Sequence, residues 1–257
     1  MFSFVIRPHL PSRWRSPLWG DRERWGLSIR EDDPCWQEWQ RTTVNFYEAN
    51  QRQGLGTVVN DAGYRVMSQV DLSGCRVLEI GPGDIRHHRH WRGRPAEYIV
   101  ADVEAVMLGK AVQRLESLGV NYRPISRQRS DPIALPDGSV DVVVTFYSLE
   151  HLHPLAEHLD EIVRVLRPGG TLIGAIPAAG GLAWGGGRML TSRRWLKRHT
   201  TIDPDKLICW EHPNFADDVL AQLDRRLQRQ RVRAWPFGWL PLLDLNLIIS
   251  LLYRKSP

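Results

Sequence analysis

Arg76-Val77-Leu78-Glu79-Ile80-Gly81-Pro82-Gly83-Asp84 is the stretch that decides the fold. Val77, Leu78 and Ile80 make the short apolar run of a strand buried on both faces of a parallel sheet. Gly81 and Gly83 then let the chain reverse and bring bare backbone close to a ligand, where a Cβ would obstruct. Asp84 is a good cap for a helix starting there. The stretch reads as a strand–turn–helix that cradles a nucleotide. It departs from the fingerprint Gly-x-Gly-x-x-Gly, because Arg86 holds the place of the third glycine. Glu79 is also out of place beside a pyrophosphate, whereas a carboxylate there suits a cationic ligand group.

Working outward, Tyr98-Ile99-Val100-Ala101 is a second apolar run, ending at Asp102. An acidic residue about 20 positions after the glycine turn is placed to accept hydrogen bonds from a ribose diol. Leu135-Pro136-Asp137-Gly138-Ser139-Val140-Asp141-Val142-Val143 and Val165-Leu166-Arg167-Pro168-Gly169-Gly170 follow downstream. In this order and spacing the pattern resembles class I S-adenosylmethionine-dependent methyltransferases of the type 11 kind, over roughly Asp71 to Pro177. The resemblance implies an α/β fold with a doubly wound, mostly parallel seven-stranded sheet, Rossmann-like, and S-adenosyl-L-methionine as cofactor. It implies Glu79 on the amino-acid ammonium, Gly81 and Gly83 against the cofactor, Asp102 on the ribose and Asp131 on the adenine amino group. Asp131-Pro132 reads equally well as a plain turn. Many relatives carry a glycine where this chain has Ile85, so an ordinary side chain there is expected to narrow the site.

A chain of 257 residues, 42% hydrophobic and 25% charged, has room for one large α/β domain with additions. Its net charge of +5 is arginine spread over several segments, with no dense basic block, so nothing singles out nucleic acid as a partner. Cys35, Cys75 and Cys209 are far apart and unpaired in pattern, which argues against a disulfide framework or a structural zinc site and suits a reducing cytoplasm. The amino terminus meets Arg7 and Pro8 too soon for a signal peptide, and Leu240 to Tyr253 is too short to span a bilayer.

Residues 1–70 read as an arm and cap helices. Pro8, Pro11 and Pro17 are expected to keep residues 1–33 irregular, an arm that could pack on its own domain, cover substrate or meet a homodimer mate. Asp33-Pro34 starts a helix that carries Trp36, Trp39, Thr43, Phe46 and Tyr47 at helical spacing to about Asn50. A second helix is expected from Thr57 to Val70. After the glycine turn, Asp84 to Trp91 reads as a short solvent-facing basic helix with His87, His88 and His90. No acidic or cysteine ligand sits near these histidines, so no metal site is read there.

From Val106 to Leu118 runs a helix, Asn121 to Ile125 is a weak strand, and Ser126 to Ser130 a polar loop. Val140 to Phe146 is the clearest buried strand, Pro154 to Leu166 a helix and Thr171 to Ile176 a strand. The alternation from 76 to 176 predicts the parallel sheet, with residues 71–177 as its cofactor-binding core. Residues 178–230 leave the family pattern and read as an inserted substrate-binding module. In it, Gly180-Gly181 and Gly185-Gly186-Gly187 make a mobile stretch around Trp184, and a last helix runs to about Gln230. Residues 231–257 read as an antiparallel edge hairpin with a proline-rich turn at Pro236 and Pro241.

Chemistry is sought at two histidines. His151 follows the central strand at the carboxyl edge of the sheet, where ligands bind. His212 lies in the compact Cys209-Trp210-Glu211-His212-Pro213-Asn214 loop, and an ordinary imidazole can take a hydroxyl proton at neutral pH. Trp184, Arg188, Trp210 and Glu211 are the candidate acceptor contacts. Ten of the eleven tryptophans fall outside 71–177, and flat aromatic faces suit sugars or other rings. The expected activity is therefore O-methylation of a small molecule or saccharide. A nicotinamide-dependent oxidoreductase and a non-catalytic binding or scaffold protein of the same fold stay open at this stage.

Overall fold

A computed structural model describes residues 5–50, 55–129, 131–240 and 242–257. Ser130, Pro241 and the side chain of Tyr47 lie outside the described residues. The chain opens with α1 (Ser12–Trp19), α2 (Arg22–Trp25), α3 (Pro34–Asn50) and α4 (Leu55–Tyr64). The core follows as β1 (Arg76–Ile80), β2 (Glu97–Asp102), α5 (Ala105–Ser117), β3 (Tyr122–Ser126), β4 (Val140–Phe146), α6 (Leu155–Val165) and β5 (Leu166–Pro177). The insertion is α7 (Leu182–Leu190), α8 (Ser192–His199), α9 (Pro204–Glu211) and α10 (Ala216–Asp224). β6 (Gln228–Trp235) and β7 (Ile248–Arg254) end the chain.

The seven strands order as β3-β2-β1-β4-β5-β7-β6. β3 through β5 are parallel and β7 runs antiparallel between β5 and β6. The expected mostly parallel sheet with an antiparallel edge hairpin is thus present. Alternate residues of each central strand feed two cores. Leu78, Ile80 and Val143 pack into one, and Val77, Val142 and Val144 into the other. That two-sided burial is why the strands read as continuous apolar runs.

A third, smaller core lies off the sheet. Trp36, Trp39 and Phe46 of α3 pack with Leu196, Ile202, Leu207 and Trp210 of the insertion. The amino-terminal cap and the insertion, far apart in sequence, therefore form one covering layer.

Several local expectations fail for tertiary reasons. The prolines do not keep the arm irregular. Pro11 stands at the N-cap of α1, where no amide hydrogen is required, and Pro17 lies within the last turns of this eight-residue helix. The arm packs on its own chain: Trp19 is buried and its Nε1 donates to the Gly181 carbonyl at 3.1 Å. The glycine stretch is the helix α7. A Cβ on Gly185 would come within 2.9 Å of Trp19 Nε1, so its bareness lets α1 and α7 approach, and packing overrides weak helix propensity. The last insertion helix stops at Asp224, and the second cap helix at Tyr64, followed by a 3-10 turn, Arg65–Gln69.

Candidate active site

The turn after β1 is shaped by conformations that need explaining residue by residue. Gly81 has φ +64°, and a Cβ there would lie 2.8 Å from the Ser148 Cβ, because the turn after β4 crosses close beside it. Gly83 has φ +56° with nothing within 4 Å of where its Cβ would be, so its bare backbone faces open space. Both positions need glycine, for different reasons: one for packing, the other for a free face.

Ile85 also holds a left-handed conformation, φ 50°, which costs a β-branched residue about 1–3 kcal/mol. Its side chain does not narrow the site. It is buried in the sheet core with Val77, Val100 and Leu115, and the backbone twist is what turns it inward. The expected helix from Asp84 is only a 3-10 turn, Arg86–His90, with Ile85 at its head; Asp84 instead pairs with Arg86 at 2.8 Å.

Glu79 and the histidines are likewise placed differently from expectation. His87 is not solvent-facing but buried, and its Nε2 lies 2.8 Å from Glu79 Oε1. Trp91 Nε1 donates to His87 Nδ1 at 3.0 Å, and an indole can only donate, so His87 carries its proton on Nε2 and donates to Glu79. Tyr98 donates to Glu79 Oε2 at 2.8 Å, and burial pushes its phenol pKa well up, which keeps that donor protonated. Both Glu79 oxygens are thus satisfied inside the protein, and the residue does not reach the cavity wall. The geometry takes Glu79 out of contact with any ligand ammonium and makes it a brace beneath the turn.

A cavity of about 650 Å³ opens at the carboxyl ends of β1, β2 and β4, a size in the range of ligand pockets. Gly81, Gly83 and Asp102 line it. The Asp102 carboxylate accepts from the Glu104 amide at 2.9 Å, yet burial outweighs its backbone donors and raises its pKa to about 6. Asp131 is not brought to the cavity. It is exposed and its Oδ2 accepts from the Gln128 amide at 2.8 Å, the plain turn that its sequence also allowed. Arg127 and Arg129, from the loop that precedes it, line the wall instead.

The opposite wall is made of side chains. His151 lines the cavity with its Nδ1 on the Glu211 carbonyl oxygen. A carbonyl only accepts, so Nδ1 carries the proton and Nε2 keeps its lone pair. Glu150 Oε1 lies 3.8 Å from that Nε2, and burial raises the Glu150 pKa to about 7. Asn214 fixes this turn by donating from its Nδ2 to the carbonyls of Leu149 and Leu152 at 3.0 and 2.6 Å. Trp210 and Glu211 line the cavity, and Trp39 Nε1 donates to Glu211 Oε1 at 2.7 Å.

His212, Trp184 and Arg188 do not line it. His212 sits behind His151, ring centroids 4.7 Å apart, between it and Trp184, and burial drives its pKa well below the ordinary imidazole value. Arg188 is a buried staple, donating to the Pro17, Leu18 and Pro204 carbonyls and pairing with Asp205 at 3.0 Å.

The comparisons with known proteins bear on this geometry. Residues 78–174 match the family described as Methyltransferase domain. A protein of Mycolicibacterium smegmatis named "Probable S-adenosylmethionine-dependent methyltransferase" is 51% identical over 109 residues, 41% of this chain and 39% of that one. Residues 78–174 thus carry a methyltransferase domain of the class I, S-adenosylmethionine-dependent kind. The ubiquinone/menaquinone biosynthesis C-methyltransferase of Neisseria meningitidis is 30% identical over 165 residues, 60% of this chain and 65% of that one. The N-methyltransferase NodS of Bradyrhizobium japonicum WM9, solved with S-adenosyl-L-homocysteine, shares the fold with a TM-score of 0.57, at 18% identity over 88% of this chain and 100% of that one. The matches to the first curated relatives span about two-fifths of those proteins' lengths.

S-adenosylmethionine is the cofactor of this methyltransferase family, and two features of this chain fit it. Gly83 offers a free backbone face that a Cβ would fill, and Asp102 offers a half-buried carboxylate at the cavity wall that can accept further hydrogen bonds from a ribose diol. Sequence reasoning placed Trp36 and Trp39 on one helix without assigning them to the site. They are buried, yet they also line the cavity, and their spacing of three along one helix face is the signal that could have shown it. It also missed Tyr147, a second left-handed residue at φ 55°, which lines the cavity and donates to the Asn60 carbonyl at 2.8 Å. A tyrosine carries no local sign of such a conformation.

Proposed function

We propose that this methyltransferase acts on a hydroxyl oxygen of a small ring-bearing molecule, a saccharide or an aromatic, with His151 Nε2 as the proton acceptor. The observation that carries the reading is the hydrogen bond from His151 Nδ1 to the Glu211 carbonyl, which leaves a basic nitrogen on a cavity residue beside the glycine turn. In this reading residues 71–177 hold the cofactor, residues 1–70 and 178–230 supply the acceptor wall, and residues 231–257 complete the sheet.

When bound, S-adenosylmethionine supplies a methyl group already activated on a positively charged sulfur. The protein's part is then alignment and proton removal. Asp102 accepts from the ribose hydroxyls, and the backbone at Gly81 and Gly83 fixes the depth of the cofactor. Trp36, Trp39 and Trp210, packed in the covering layer, bound the acceptor space with the small part of each ring that reaches the cavity. His151 takes the hydroxyl proton on Nε2 as the oxygen–carbon bond forms, and the Glu211 carbonyl and the Glu150 carboxyl favour the resulting imidazolium.

The test is incubation with S-adenosylmethionine and panels of hydroxylated saccharides and aromatics, with S-adenosylhomocysteine and the methylated product read by mass spectrometry and NMR. An O-methyl product supports the reading. A product methylated on carbon or nitrogen overturns the oxygen assignment, and cofactor binding without turnover on any acceptor overturns the enzymatic reading.

A further inference from the structure

The connection between β6 and β7 exposes an apolar ridge. Trp239 is 78% exposed, with Phe237, Leu242 and Leu245 at 42%, 38% and 43%. Water-exposed side chains of this kind on a loop usually mean a loop without fixed shape. Here the described residues of the loop are held in place. Asn246 is fully buried, its Oδ1 accepts from the Phe237 amide at 2.8 Å, and its Nδ2 donates to the Leu240 and Leu242 carbonyls at 3.0 and 2.8 Å. Leu243 anchors the loop in the core, and Asp244 caps the amides of Leu182 and Ile6 at 3.0 and 2.9 Å. A buried asparagine spends its hydrogen bonds on holding the very turn that leaves a tryptophan, a phenylalanine and two leucines in water. Exposed apolar ridges held in this way mark interaction surfaces.

We propose that this ridge docks the protein on the surface of an anionic lipid bilayer. Charge decides the occupant. Asp244 is the one acidic residue in 236–247, and its carboxylate is turned inward onto two amides, so the ridge shows no negative charge. The adjoining edge strand, β6, carries Arg229, Arg231 and Arg233 and no acid. Arg229 pairs with Asp224, but Arg231 donates to the neutral Gln69, and Arg233 is exposed with no carboxylate partner among the described residues. Arg233, two residues before Trp235, sets a positive charge beside the aromatic tip, a pairing that suits an anionic headgroup layer, in which tryptophan favours the interface. The same arginines would repel a second copy brought edge to edge.

The topology adds a consequence. Trp235 pairs with Ile248, and Ile248 with Pro177, so the ridge projects beyond the carboxyl ends of the parallel strands, the edge at which the cavity lies. Docking through it brings that edge towards the lipid. The inference does not depend on which atom is methylated.

The test is co-sedimentation of the full chain with phosphatidylcholine vesicles, with and without about one-third phosphatidylglycerol. The wild type should pellet with the anionic vesicles and less so at high salt. Trp239→Ser should weaken partitioning about tenfold and Arg233→Gln about threefold. Leu190→Ser, which removes an exposed leucine from α7, should leave it unchanged. Absence of wild-type binding, or equal binding by Trp239→Ser, overturns the proposal. So does a wild-type dimer that ignores vesicles and that Trp239→Ser renders monomeric in sedimentation velocity, which would assign the ridge to a second copy.

Discussion

On the side of the cavity proposed for the cofactor the wall is largely main chain, the turn at Gly81 and Gly83 and the end of β2 at Asp102, carried by strands buried on both faces. On the side proposed for the acceptor the wall is side chains: Trp36 and Trp39 from α3, His151 from the turn after β4, and Trp210 and Glu211 from the end of α9. Residues 172 positions apart must meet there, since Trp39 donates to Glu211. The first wall depends on where the backbone runs and the second on which groups are imported. Substitutions on the first should therefore act on folding and cofactor binding together or in sequence, while substitutions on the second should change turnover with cofactor binding intact.

The hardest blow to the backbone wall is Gly81→Val. At φ +64°, with the Ser148 Cβ 2.8 Å from any added Cβ, the variant should lose about 3–5 kcal/mol of stability in urea unfolding, and cofactor binding with it. Gly83→Ala separates the two losses. Its Cβ meets no protein atom, so stability should fall by about 1–2 kcal/mol only, while cofactor affinity by calorimetry should fall more than tenfold because the methyl enters the free face. If Gly83→Ala binds the cofactor as the wild type does, the backbone-wall account is wrong.

On the side-chain wall, His151→Ala should lower kcat about 100-fold and leave cofactor affinity within a factor of two. His212→Ala should cost far less turnover, because His212 lies behind His151 and burial disfavours its charged form. Equal losses in the two variants would make the pair a joint proton acceptor and break the assignment to one nitrogen.

The two walls also differ in how far they could be read from sequence. Val77, Leu78 and Ile80 feed cores on both faces of the sheet, so local hydrophobicity and tertiary burial coincide, and β1, β2, β4 and the carboxyl-end position of Asp102 were legible. Glu79 was not. A carboxylate beside a glycine turn looks ligand-directed, and only the meeting of His87, Trp91 and Tyr98 shows it to be internally satisfied. The side-chain wall was read in fragments. Trp210, Glu211 and His151 do line the cavity, but Arg188 and His212 were grouped with them by proximity in sequence, whereas helix geometry turns Arg188 onto the α1 carbonyls. Composition can say that a residue is chemically capable; only packing says which way it faces.

Asp102 gives a smaller and more specific effect. Burial holds its folded pKa near 6, so below that pH the carboxyl is neutral and accepts ribose hydroxyl hydrogen bonds poorly. Cofactor affinity should therefore rise with pH through about 6 and level off above it, as bound hydroxyls favour the charged form. In the free protein the sign is opposite: the raised pKa means that this group's contribution to stability falls as pH rises from about 4 to about 6. Asp102→Asn should weaken binding about tenfold at neutral pH and flatten the pH profile. A wild-type profile without the rise would mean that the carboxylate faces something other than the ribose.

The smallest expected change in binding is at Ile85, and it tests whether the backbone wall tolerates an unusual residue because its side chain is elsewhere. Ile85→Gly relieves a left-handed β-branched residue, worth about 1–2 kcal/mol, but empties a fully buried site, which costs about 3–4 kcal/mol. The net should be a loss of about 2 kcal/mol in urea unfolding with cofactor affinity changed less than twofold. If glycine raised the affinity tenfold instead, the isoleucine would be narrowing the site after all, and its inward packing would not describe the state that binds. If glycine left stability unchanged, the strain at φ 50° would equal the whole value of the buried side chain, and the turn would be held by the Glu79 brace rather than by the core beneath it.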